Sequence, residues 1–193
     1  MYHRFDENKY PSTNVRMHMF EDQMNMIIKN NLDFYNPEEF NLNFNKPKER
    51  KKILITVDDA FSSFYNKAWP YLKKNKIPFI LFVSTKPVGS SGYMTWDQIK
   101  EVEKENFAFI GNHSHAHEYM VNFRFSEFKK DIETSKNIFE DKLGYNPIFF
   151  LILLVNIAWN KKIILKRNLN MLLANILELL ILIKINLNCQ DFQ

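Results

Sequence analysis

Residues 53–59 read Ile-Leu-Ile-Thr-Val-Asp-Asp, a nearly continuous apolar run that ends in two adjacent carboxylates. A run of this kind after the charged residues 46–52 is typical of a parallel strand buried on both faces. Residues 107–110, Phe-Ala-Phe-Ile, form a second apolar run, and His113 and His117 follow it. Ligands and catalytic groups gather at the carboxyl ends of parallel strands. The sequence therefore predicts that Asp58, Asp59, His113 and His117 meet at one edge of a sheet.

One carboxylate and two imidazoles form a ligand set that suits zinc or a similar first-row metal and leaves positions open for water and substrate. A metal held in this way lowers the pKa of its water, and a second carboxylate can act as a general base. The alternative is that His113 and His117 are ordinary loop residues and that Asp58 caps a helix, because two histidines at this spacing also occur by chance.

These residues resemble two sequence blocks of the NodB-type polysaccharide deacetylases, also called carbohydrate esterase family four. The first block, Thr-Phe-Asp-Asp-Gly, is matched by residues 56–60, and the second, His-Ser/Thr-x-x-His, by residues 113–117. The resemblance implies that Asp58 is the catalytic base and that Asp59, His113 and His117 bind a divalent metal. Zinc is the first expectation, and cobalt, manganese and iron are the other options. His115 matches a variable position and receives no role.

One departure from the family lies inside the first block, where Ala60 stands in place of the usual glycine. A side chain at this turn is expected to be tolerated only if φ of Ala60 stays negative.

The resemblance covers residues 1–150 and implies an α/β fold, an incomplete and deformed (β/α) barrel of the NodB type. It also implies a hydrolase that acts on non-peptide C–N bonds. Water activated at the metal would remove N-acetyl or O-acetyl groups from an acetylated oligosaccharide or polysaccharide. Two alternatives stay open: a catalytically inactive metal-binding remnant, and a membrane-associated accessory protein if the end of the chain is genuine.

The composition bears on the expected partners, disulfide bonds and compartment of the protein. The net charge of +4 comes from scattered basic residues, so nucleic acid is not an expected partner. The single cysteine, Cys189, excludes an internal disulfide framework. No basic and then apolar leader opens the chain, so the cytoplasm is the default expectation. Residues 1–5 resemble the opening strand of the family, so the true start is expected to lie upstream.

Local patterns predict the elements between the two blocks. Helices are expected over residues 64–75 and 96–106, the second opened by a capping box of Thr95 and Gln98. A longer helix is expected to start at the cap Ser126 and to stop at Gly144. Strands are expected over residues 78–84 and 146–150. Most aromatic residues are interpreted as core, with Tyr93 and Trp96 as candidate sugar platforms.

The composition changes abruptly after Phe150. Leucine and isoleucine supply 20 of the 43 residues from 151 to 193, whereas glycine, proline and tyrosine are absent there. The family's third block, Arg-x-Pro-Tyr/Phe-Gly, is missing, but a shift of one nucleotide lets the codons of residues 151–155 be read as Ser-Tyr-Pro-Phe-Gly. We therefore interpret residues 151–193 as the product of a frameshift at Phe150. The alternative is a membrane-surface helix over residues 171–187, and membrane association is not the favoured prediction.

The frameshift has two expected consequences. The third block, which helps to orient the base, and a late histidine that acts as general acid would both be lost. A barrel without its final strands is also expected to be marginally stable and prone to aggregation.

Overall fold

The computed structural model describes residues 1–39, 52–118 and 124–151 of the chain. Its central feature is a four-stranded parallel sheet in the order β5-β6-β7-β8. Two further parallel pairs, β1 with β2 and β3 with β4, lie outside this sheet. The strands are β1 (Arg4–Phe5), β2 (Asn14–Val15), β3 (Asp33–Phe34), β4 (Lys52–Ile53), β5 (Ile55–Asp58), β6 (Phe79–Val83), β7 (Ala108–Asn112) and β8 (Phe149–Phe150). The expected incomplete barrel is confirmed as an open α/β arrangement.

The first residues of the chain extend the sheet beside β5. Tyr2 forms a parallel bridge with Val57. The Tyr2 amide donates to the carbonyl of Thr56 at 2.9 Å, and the Asp58 amide donates to the carbonyl of Tyr2 at 2.8 Å. This pairing brings His3 next to the carboxyl end of β5.

In the described part of the chain, the strands are accompanied by the α-helices α1 (Met17–Lys29), α2 (Trp69–Asn75), α3 (Trp96–Glu103) and α4 (Phe125–Leu143). A π-helix, Phe64–Ala68, leads directly into α2, so the helix predicted over residues 64–75 is present in two parts. The predicted capping box is confirmed, because Thr95 Oγ1 accepts from the Gln98 amide at 3.3 Å and the Gln98 side chain accepts from the Thr95 amide at 2.9 Å. Helix α3 ends three residues before the predicted boundary.

Helix α4 begins differently from the prediction. Its N-cap is Arg124, whose amide donates to the Glu127 carboxylate at 2.8 Å, so the prediction that Ser126 caps this helix was wrong. The physical reason is that Glu127, three residues after Arg124, supplies the acceptor that the first turn requires. The predicted stop is confirmed, since Gly144 adopts φ 81°, a left-handed conformation that glycine adopts without strain.

Buried side chains cover both faces of the sheet. One face carries Leu81, Val83 and Ile110 in the main core, against residues from α1, α2 and α3. The other face carries Ile80, Phe82 and Phe149 in a second cluster. This double burial accounts for the unbroken apolar runs in the sequence.

The predicted change of character after Phe150 falls on residues 152–193, which lie outside the described residues. Within the described ranges, no helix is long and apolar enough to cross a membrane.

Candidate metal centre

The two predicted sequence blocks meet at the carboxyl ends of β5 and β7. Asp58 ends β5, Asp59 follows it, and His113 comes directly after β7. One ligand atom from each of Asp59, His113 and His117 lies within 4.8 Å of the others. His117 Nε2 is 2.6 Å and His113 Nε2 is 3.6 Å from Asp59 Oδ1. The strand register thus brings together the three side chains that the sequence singled out as ligands.

Asp59 reaches this position through a left-handed turn. Asp59 has φ 73° and Ala60 has φ 51°, so the expectation that φ of Ala60 stays negative was wrong. The left-handed region costs a residue other than glycine about 1–2 kcal/mol. Neighbouring hydrogen bonds offset this cost: the Asp59 amide donates to the Phe82 carbonyl, and the Met94 amide donates to the Ala60 carbonyl, each at 2.9 Å. The turn is therefore imposed by β6 and by the chain before α3.

The Asp59 carboxylate has the surroundings that a bound cation would require. Its Oδ1 is buried and makes no hydrogen bond of acceptable geometry within the described part of the chain, although two imidazole nitrogens lie close to it. Burial opposes ionisation of Asp59, but the adjacent His117 and the charges of His113 and His3 keep the pKa of this carboxyl below its usual range. An ionised carboxylate and two nitrogen donors aimed at a common region fit a divalent metal.

The surroundings of His113 favour its neutral imidazole. Burial lowers the pKa of its imidazole, while the Leu151 carbonyl 2.9 Å from Nδ1 and the charge of Asp59 oppose the shift. A hydrogen bond from Nδ1 to a carbonyl places the proton on that nitrogen and leaves Nε2 free as a donor to a metal. His117 differs, because the close Asp59 raises the pKa of its imidazole. A metal would compete with that proton for the same lone pair.

Asp58 lies beside the three candidate ligands. It is 2% exposed, and its Oδ1 is buried without a hydrogen bond within the described residues. Burial, followed by the negative charge of Asp59, raises the pKa of Asp58 to about 7. A cation bound next to it would favour the ionised form. The predicted role of Asp58 as the base stays a prediction, and its position is compatible with that role.

His3 belongs to the same cluster, although neither sequence block contains it. Its Nε2 is 3.7 Å from Asp58 Oδ2, and its side chain is 22% exposed. Burial lowers the pKa of this imidazole, and the charge of Asp59 opposes the shift. The available signal was the assignment of residues 1–5 to an opening strand, because a strand placed beside β5 carries its histidine to the same sheet edge.

The two aromatic residues proposed as sugar platforms have different surroundings. Tyr93 is half-buried, with its ring centroid 4.8 Å from that of Phe61. Burial, followed by the charge of Asp59, raises the pKa of Tyr93. Trp96 packs edge-on against Phe139 at 5.7 Å and adjoins the main core. A platform role therefore stays a prediction for Tyr93, whereas Trp96 contributes to core packing.

Comparison with known proteins identifies the family. The family model described as polysaccharide deacetylase matches residues 45–154, more than half of the chain. The chain belongs to the polysaccharide deacetylase family. The match to this deacetylase model includes every candidate ligand and Asp58, and it ends four residues after Phe150.

Curated relatives and solved structures agree with this assignment. YxkH of Bacillus subtilis, named as a polysaccharide deacetylase, is 27% identical over 143 residues, which cover 73% of this chain and 50% of the relative. The poly-β-1,6-N-acetyl-D-glucosamine N-deacetylase of Staphylococcus aureus is 30% identical over 107 residues, 52% of this chain and 37% of the relative. The chain therefore spans half or less of the length of these two relatives.

The structural comparison supports the same fold. IcaB from Ammonifex degensii is 25% identical, with a TM-score of 0.78 over 86% of this chain and 77% of that one. The Streptococcus pyogenes deacetylase PplD, solved with acetate, is also 25% identical, with a TM-score of 0.67 over 78% of this chain and 70% of that one.

Proposed function

We propose that this protein is a metal-dependent deacetylase that hydrolyses acetyl groups on an amino-sugar polymer. The observation that carries the proposal is the convergence of three ligand atoms within 4.8 Å, next to the buried carboxylate of Asp58. The staphylococcal relative, named as an N-deacetylase of poly-β-1,6-N-acetyl-D-glucosamine, makes an N-acetylated glucosamine polymer the first substrate to test. O-acetyl groups remain an alternative substrate, because ester hydrolysis uses the same groups.

Asp59, His113 and His117 would hold the metal. Zinc fits this ligand set best, and cobalt, manganese and iron are compatible with it. When bound, the metal would polarise the acetyl carbonyl and lower the pKa of a coordinated water.

The remaining side chains would move protons. Asp58 accepts a proton from the water whose oxygen bonds to the acetyl carbon, and the carbon–nitrogen bond of the amide then breaks. The departing amine nitrogen requires a proton, and acetate carries away the oxygen supplied by water. The proton that Asp58 takes from water can return to this nitrogen, because burial lowers the pKa of His3, 3.7 Å from Asp58, and disfavours the imidazolium form that a donor would need.

The same proposal divides the chain at Phe150. Residues 1–150 are the deacetylase portion, and residues 151–193 are the product of a shifted reading frame. The absence of the third block from residues 151–193 favours one second candidate, a remnant that binds metal without turnover.

The test uses the full chain loaded with zinc or cobalt. Acetate release is measured from poly-β-1,6-N-acetyl-D-glucosamine and from acetylated chitooligosaccharides. We expect release that is abolished by chelation and by Asp58→Asn, and unchanged by Asp141→Asn, which alters an exposed carboxylate on α4. Metal binding without acetate release would establish the inactive remnant, whereas no metal binding would overturn both readings.

A further inference from the structure

The loop between the two histidine ligands is held by a helix. Asp131 lies in α4 and is only 7% exposed. Its Oδ1 accepts a hydrogen bond from the His115 amide at 2.9 Å, and its Oδ2 accepts one from the Ala116 amide at 2.8 Å. Both oxygens of this buried carboxylate thus bind consecutive backbone amides of the loop that joins His113 to His117.

A second contact comes from the next turn of the same helix. Ser135 Oγ accepts from Asn112 Nδ2 at 3.0 Å, and Asn112 Oδ1 accepts from the Ser114 amide at 2.8 Å. Residues four apart lie on one face of a helix, so α4 reaches the loop at two points along one stripe.

The loop needs such support because its backbone is unfavourable by itself. Ser114 has φ 74° and His117 has φ 57°, and each lies in the left-handed region. That region costs about 1–2 kcal/mol for a residue with a side chain. The His117 amide donates to Ser114 Oγ at 3.3 Å, a long contact, so this candidate ligand has weak backbone anchoring among the described residues.

We propose that Asp131 is a positioning residue that fixes His117 relative to His113 and Asp59. The inference rests on the metal site proposed above. Asp131 acts without touching metal or substrate: its two hydrogen bonds select the loop conformation in which both imidazoles face the carboxylate. Loss of such outer contacts typically reduces metal affinity by about 10–100-fold.

The decisive variant is Asp131→Asn, which keeps the size of the side chain but turns an NH₂ group towards one of the two backbone amides. In the full chain, the zinc dissociation constant is measured by competition with a chelator. The visible absorption spectrum of the cobalt form reports ligand geometry. We expect zinc affinity to fall about tenfold or more and the cobalt spectrum to change.

Asp141→Asn is the matched control, because Asp141 is exposed on the same helix and pairs with its neighbour Lys142 at 2.8 Å. This control is expected to bind zinc like the wild type. Asp131→Glu, which keeps both oxygens, is expected to lose less affinity than Asp131→Asn. A purely structural role would lower the melting temperature of Asp131→Asn while leaving the zinc constant and cobalt spectrum unchanged, and that result would overturn the inference.

Amide hydrogen exchange in the wild type tests the contact without requiring that any variant folds. The amides of His115 and Ala116 are expected to exchange slowly, because a buried carboxylate accepts from both. Exchange as fast as in an exposed loop would refute the contact. A wild-type chain that binds no zinc would overturn the proposed function as well, whereas equal binding by wild type and Asp131→Asn would overturn the positioning role alone.

Discussion

Replacing Gly111 with alanine tests how closely β6 and β7 pack beside the metal centre. A Cβ at position 111 would lie 2.4 Å from Cδ1 and 2.5 Å from Cε1 of Phe82, and 3.1 Å from Cγ2 of Ile80. Carbon atoms in contact are about 3.5–4.0 Å apart, so the ring of Phe82 must retreat by about 1 Å or more. Overpacking of a core costs about 1–3 kcal/mol, and the absence of free space towards Ile80 places Gly111→Ala in the upper half of that range.

Urea unfolding of Gly111→Ala provides the measurement, with Phe82→Leu and the double variant completing a cycle. Alanine in place of glycine at a relaxed site would stabilise the chain by about 0.4–1 kcal/mol, so even the sign of the change is informative. Since Phe82→Leu removes ring atoms, the destabilisation by Gly111→Ala is expected to shrink by at least about 1 kcal/mol in that background. An unchanged unfolding midpoint, or an equal loss in both backgrounds, would refute the packing argument.

Three other predictions follow from the same structure. Chelation should lower the melting temperature of the wild type, because a ligand at one hundred times its dissociation constant adds about 2.7 kcal/mol to the free energy of unfolding. The melting temperature of His113→Ala should be the same with and without zinc. Thr95→Ala should destabilise the protein by about 1 kcal/mol in thermal unfolding through loss of the cap of α3, and an unchanged midpoint would contradict that role. Sequencing of source DNA across the codons of residues 149–162 will locate the frameshift. One additional thymidine would show that the shift arose in sequencing, whereas DNA that encodes the given sequence would place the shift in the gene.

The convergence of the candidate ligands, and strands β5 and β7 that carry them, could be predicted from sequence because their signals are local. An apolar run followed by Asp58 and Asp59 has few structural interpretations, and a histidine pair after a second run restricts them further. Helix α3 was equally accessible, since Thr95 and Gln98 form a reciprocal cap within four residues.

The features that escaped prediction depend on contacts between distant segments. The positive φ values of Asp59 and Ala60 reflect hydrogen bonds of the Asp59 amide with Phe82 and of the Ala60 carbonyl with Met94, residues that are distant in sequence. His3 reaches the site because its neighbour Tyr2 pairs with β5. Asp131 is one of several acidic residues on an amphipathic helix, and no periodicity distinguishes the one whose carboxylate faces a loop.

The carbonyl of Leu151 supports the candidate metal site in a way that does not depend on the identity of the residue at position 151. This residue is the first one after the inferred shift, yet its amide donates to the Asn112 carbonyl and its carbonyl faces His113 Nδ1, each at 2.9 Å. Both contacts use main-chain atoms, which every amino acid other than proline provides. Main-chain chemistry does not depend on the reading frame, so a gene altered at this codon would retain the contact that orients the His113 imidazole while losing any side chains that the original frame encoded downstream. Metal affinity would then persist after turnover had been lost from the protein that such a gene encodes.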